Sequence, residues 1–120
     1  NVDASAPEDS DNDGEAALRV ALAAACALRL FDWHESVGNH FSAAVSGDGK
    51  RFLINPPRRH FARVRASELM LLDADDGETM SRPNAPAPSA WCLHGAIHRA
   101  RPAARVLLHC HRPTRRRWRP

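Results

Sequence analysis

The stretch VLLHCHRPTRRRWRP, residues 106–120, joins two unlike kinds of sequence. Its first part is an apolar run with His109 and His111 at alternate positions. In a strand, residues i and i+2 point to the same face, so the two imidazoles converge. That spacing suits two neighbouring positions around Zn²⁺ or a similar divalent ion. It equally suits two polar residues at a strand end, since two ligands do not complete a site. The second part carries five arginines and Trp118. A nucleic-acid reading has the arginines meet phosphates and the indole stack on a base. The fold turns on whether residues 104–111 form the last strand of a layered domain, and whether the tail belongs to it.

Charge separates the two parts. Residues 1–15 carry six acids (Asp3, Glu8, Asp9, Asp11, Asp13 and Glu15) and no base. Residues 112–120 carry five arginines and no acid, so the net +3 becomes +3 − 5 = −2 without them. The basic character is therefore a property of the tail, and the body is slightly acidic. A chain of 120 residues suits one domain. No run of about 18 apolar residues is present, which predicts no membrane span. The acidic N-terminus lacks the basic and then apolar pattern of a secretory signal. Cys26, Cys92 and Cys110 are odd in number and form no CxxC, which predicts thiols in a reducing compartment, with cytoplasm as the default.

Residues 1–13 are polar and acidic and are expected to be disordered. Asn12 and Glu15 have capping-box spacing, and EAALRVALAAACALRLF reads as a helix through about Phe31. Leu18, Leu22, Cys26 and Leu30 form an i+4 row on it, with Ala21 and Ala25 beside them. VGNHFSAAVSGDGKRFLINPP reads as two strands joined at Gly47-Asp48-Gly49, and Pro56-Pro57 ends the second. ELMLLDAD is a third strand. SRPNAPAPS is a loop, Ser89 an N-cap, and AWCLHGAIHRA a second helix stopped by Pro102. ARVLLHCH is then a last, buried strand. Helix, strands, helix and strand predict an α/β layered domain.

Other polar clusters offer less. His94 and His98 share a helix face, but Gly95 stands where HExxH needs its general-base glutamate, so a surface or hydrogen-bonding role is expected. His34, Glu35, His40 and Ser42 make either a polar pocket or a solvated connection. No nucleophile elbow or glycine-rich phosphate loop is present.

Taken in order, FDWHESVGNHFSAAVS, RFLINPPRRHF, RASELMLLD and AWCLHGAIHRARPAARVLLHCH resemble the N-terminal half of the class II aldolase/adducin family, from about Glu15 to His111. The resemblance implies a partial three-layer α/β/α domain over residues 14–111, with a mainly antiparallel sheet. It implies a homotetramer acting on a small molecule, a sugar phosphate or related hydroxy-carbonyl compound, with Zn²⁺ or another divalent metal. Within it His109 and His111 match the metal pair, and His40, Ser42, Asn55 and Ser89 fall at substrate-binding positions. A bound metal supplies Lewis-acid polarisation of a carbonyl. The family also includes adducin, a non-catalytic interaction module and the alternative reading here.

Three departures follow. The glutamate that serves as acid/base before the aromatic residue of the second helix is Ala90 here, so no catalytic residue is assigned. Pro57-Arg58 stand where a glycine usually follows the L-I-N-P turn. The third metal histidine belongs to a C-terminal half that this sequence does not include. The tail offers a reason. A family-like continuation, HSPYATALAA, written in GC-rich codons and reread after loss of one base, gives HRPTRRRWRP, the observed ending. Residues 112–120 are therefore expected to be an aberrant, frameshifted tail, which removes the nucleic-acid reading and predicts an inactive chain.

Overall fold

A computed structural model of the chain describes residues 5–27, 39–60 and 63–109. Helix α1 spans Ser5–Ala27. It starts well before Asn12, so residues 5–13 are helical and not the disordered segment expected. Two features of the sequence allow this. Pro7 falls in the first turn, where its missing N–H is not needed. The acids that follow lie towards the positive end of the helix dipole. The expected continuation to Phe31 lies outside the described residues.

Four strands form one antiparallel sheet: β1 (His40–Ala44), β2 (Arg51–Ile54), β3 (Met70–Asp73) and β4 (Val106–His109). Their order is β3-β2-β1-β4. The β1–β2 hairpin turns at the expected glycines. Gly49 takes φ 78°, which its lack of a Cβ permits. Asp48 accepts from the Ser46 hydroxyl at 2.6 Å and from the Lys50 N–H at 3.0 Å. Those two bonds, the first above all, hold its carboxyl below the usual carboxylate range.

Alternation along β1 assigns its two faces. Phe41 and Ala43 join Leu53, Val64 and Leu69 against Leu22, Ala23 and Cys26 of α1. Ala23, one turn before Cys26, takes the contact expected of Ala21, which is exposed. Arg19 adds a polar tie, donating to the carbonyl of Leu69 at 2.9 Å while Glu15 holds its guanidinium. On the other face Phe52, Ile54, Leu72 and Ala74 pack on Ala90.

That second layer is one helical stretch in three parts. Helix α2 (Pro88–Ala90) runs into a π-helical turn, Trp91–Gly95, and then α3 (Ala96–Ala100). Its N-cap is Ala87, and Ser89 lies inside the first turn, so the expected cap is displaced. Pro88 explains the shift, because proline is pre-shaped for the first helical position. Helix, sheet and helix give the three-layer α/β/α arrangement with an antiparallel sheet.

Strand β4 departs from expectation. Val106 and Leu108 are 55% and 53% exposed. They lie opposite Ala43 and Phe41, on the α1 face. The core cluster beneath α1 does not extend to them. An edge strand beyond the reach of the covering helix keeps one face in water whatever its composition.

Candidate functional site

Ser42 sits at the centre of β1, fully buried, on the face that meets the second helical layer. Its Oγ lies 2.6 Å from His94 Nδ1 and 2.8 Å from His98 Nε2. Those histidines are buried, at 1% and 0% exposure, and not on the helix surface. The π turn carries His94 and runs directly into α3, which carries His98, and both rings meet one serine. Phe52 stacks on His98 with centroids 4.5 Å apart, so the imidazole is held by an aromatic face as well as a hydroxyl.

Two residues along β1, His40 continues the cluster. Its ring meets His94 edge-on at 5.8 Å and stacks on His109 at 5.4 Å. The β1–β4 register explains the stack, since His40 lies directly opposite His109. His109, His40, His94, Ser42 and His98 thus form a continuous polar row between sheet and helix.

Burial dominates the electrostatics of that row. It pushes the His94 pKa down to about 3, with His40, His98 and His109 adding smaller repulsive contributions. His98 is lowered too, again chiefly by burial, with the Ala104 backbone partly opposing. Both rings are neutral near pH 7 and serve as hydrogen-bonding groups, not charges.

Asn55 closes the other side. Its Oδ1 accepts from the Phe41 N–H at 2.8 Å, and its Nδ2 donates to the Asn39 carbonyl at 3.0 Å. The side chain ties the end of β2 to the start of β1. A cavity of about 210 Å³ opens beside it, lined by His40, Asn55, Pro56, Pro57, Arg58 and residues 85–88. Arg58 holds φ 57°, a left-handed conformation that glycine adopts far more easily.

The structure therefore brings His40 and Asn55 to one cavity and places Ser42 behind it, engaged by two histidines. Ser89 is exposed and follows Pro88 on the cavity rim. His34, Glu35 and His111 lie outside the described residues. Sequence reasoning missed the depth of His94 and His98. The available signal was Ser42, a hydroxyl inside an apolar strand that needs a partner from the covering layer. A larger cavity of about 360 Å³ lies between the turn after β3 and the π turn, away from this row. Its Asp75 and Asp76 already pair with Lys50 and Arg82.

Fit to a metal is partial. His109 supplies one imidazole of the expected pair. Ala90, buried at 2% exposure, offers no donor where a glutamate is expected. Among the described residues no group of three or more histidine, cysteine, aspartate or glutamate side chains is arranged to hold a metal ion. No helix of the described residues is long and apolar enough to cross a membrane.

An antiparallel sheet between two helical layers, with buried histidines behind a cavity at one end, defines a class of α/β domain. The sequence matches the family described as Class II Aldolase and Adducin N-terminal domain over residues 20–118. The chain belongs to that family. The matched region includes residues 112–118. Among its relatives, a putative aldolase class 2 protein of Caulobacter vibrioides is 33% identical over 83% of this chain and 39% of its own length. An adducin-related protein of Schizosaccharomyces pombe is 37% identical over 84% of this chain and 33% of its own. An aldolase II superfamily protein from Pseudomonas syringae superposes with a TM-score of 0.68 at 36% identity, covering 82% of this chain and 40% of that one. The chain thus spans well under half the length of these relatives.

Proposed function

We propose that this chain is the N-terminal part of a metal-dependent, cytoplasmic class II aldolase-like protein, a homotetramer when whole. Its ligand is a sugar phosphate or related hydroxy-carbonyl compound, and the chain by itself is inactive. The observation that carries this reading is the meeting of His40 and Asn55 at one cavity, with His109 stacked on His40. His109 and His111 hold two positions on a divalent metal, the rest coming from the remainder of the protein. A bound metal supplies Lewis-acid polarisation of a carbonyl. His40, Ser42, Asn55 and Ser89 belong to the substrate side, Ser42 acting through His94 and His98. Among the described residues the cavity lining includes no carboxylate to act as general base, which favours an inactive chain.

A second reading, a non-catalytic adducin-like interaction module, is favoured by Ala90. Zinc titration of the chain with a family-like continuation after His111 separates the two, run beside a His109→Ala/His111→Ala variant. Stoichiometric zinc that is lost in the variant supports the metal site. Zinc absent from both supports the module. Residues 112–120 are, on our reading, a frameshifted tail. Resequencing the locus tests this, and a shifted frame with no further histidine-bearing half would refute it.

A further inference from the structure

Two adjacent arginines follow Pro56-Pro57, and the fold uses them differently. Arg59 donates to Glu68 Oε1 at 2.6 Å, which ties the end of the β2 segment to the turn before β3. Arg58 lines the cavity that His40 and Asn55 share, and it is exposed. It has no hydrogen-bond or ion-pair partner among the described residues.

Arg58 also carries the strain. Its φ of 57° is the one positive value on a non-glycine residue among those described. Backbone strain of this kind persists chiefly where a ligand clamp or an active site makes use of it. Nothing in the described fold makes use of the side chain that this backbone presents.

The rest of the cavity narrows what that side chain can hold. Pro56, Pro57, Pro86 and Pro88 line it, and proline brings no N–H. The walls are therefore short of backbone donors for an oxyanion. Asn55 already accepts from the Phe41 N–H and donates to the Asn39 carbonyl. No carboxylate lines the cavity among the described residues, so nothing there neutralises the guanidinium or repels an anion.

We propose that Arg58 is a specificity-determining residue of this cavity, its guanidinium holding a terminal oxyanion of the ligand, a phosphate or a carboxylate. The planar fork of N–H donors matches either group in bidentate fashion. The inference rests on the proposed function and deepens it. Among hydroxy-carbonyl compounds it selects those with an anionic end over neutral sugars. It is particular to this chain, since the family usually places a glycine after this turn.

The experiment titrates the ¹⁵N-labelled full chain with inorganic phosphate and, separately, with glycolate. Chloride holds the ionic strength constant, so that general screening does not mimic binding. The backbone N–H resonances of Asn55 and Ala87, on opposite walls, report on the cavity. Wild type should show a saturable shift at both, and the tighter of the two anions names the ligand's charged end. Arg58→Gly should weaken binding about tenfold or more, and Arg58→Lys, which keeps the charge and loses the fork, by less. Arg59→Gln should leave it unchanged. Wild type without a saturable shift overturns the proposal, as does an Arg58→Gly chain that binds like wild type. Equal losses in the Arg58→Gly and Arg59→Gln chains also overturn it, because they show a diffuse effect of charge. Zinc titration reads the functional proposal separately: zinc uptake without anion binding sinks Arg58's role alone, and anion binding without zinc uptake sinks the metal site alone.

Discussion

Protonating His94 puts a charge where water is nearly absent, and burial already holds its pKa at about 3. In the unfolded chain the same imidazole titrates near its ordinary value of about 6.5. The folded pKa is the lower one, so the stability that depends on neutral His94 is complete above about pH 6.5. It is lost as pH falls towards 3, at roughly 1.4 kcal/mol per pH unit for each ring that stays neutral only when folded. His98 shifts the same way and adds to the slope. Urea midpoints should be flat above pH 7 and drop steadily between pH 6 and 4. A flat profile across that window would contradict the buried neutral pair. Arg58 makes a second prediction at this scale. Its φ of 57° strains any side chain by roughly 1–2 kcal/mol, while glycine loses about 0.5–1 kcal/mol of that gain through backbone entropy. Arg58→Gly should therefore raise stability by about 0.5–1 kcal/mol, visible as an increase of a few degrees in Tm. A lower Tm would mean that the guanidinium supports the cavity rim.

The β1–β2 hairpin depends on Gly49 for more than its turn. A Cβ there would stand 3.0 Å from Pro102 Cα and 3.2 Å from the Pro102 carbonyl oxygen, on top of a left-handed φ. Gly49→Ala should cost at least about 1–2 kcal/mol in chemical denaturation, and an unchanged midpoint would disprove the close approach. This hairpin was legible in the sequence because Gly47-Asp48-Gly49 separates two apolar runs, a signal local to the turn. An α/β layered domain was legible from the order of helical and strand patterns, and the three-layer arrangement from the family resemblance. The start of α1 was not, because an acidic stretch low in large apolar groups reads alike as helix or coil. Nor was the π turn at Trp91–Gly95, which no single residue's propensity signals. His40 and Asn55 were legible as site residues through the family pattern. The way Asn55 spends its amide on the backbone of residues 39 and 41 was not, since that bond joins segments distant in sequence.

Across the molecule, the sheet ends on an apolar edge. Val106 and Leu108 stand half in water on β4, an arrangement that invites pairing with another chain. The double substitution Val106→Thr/Leu108→Lys keeps strand geometry and removes that attraction. The wild-type chain should sediment as associated species at micromolar concentration, and the variant should shift to monomer. A wild-type chain that is monomeric and unfolds cooperatively would count against the edge as the cause. The same strand is held from its inner side by Arg105, whose guanidinium donates to the Ser46 carbonyl at 2.7 Å and reaches the carbonyls of Ala44, Gly47 and Pro102. Arg105 and Ala44 are 61 residues apart, whereas β1, β2 and β3 follow one another closely. The three-stranded meander can therefore assemble from nearby partners, while β4 must wait for a long loop to close. Arg105 acts as the latch of that late event: weakening it should leave the meander's formation rate unchanged and speed the departure of β4, opening the His40–His109 end of the site before the rest of the protein unfolds.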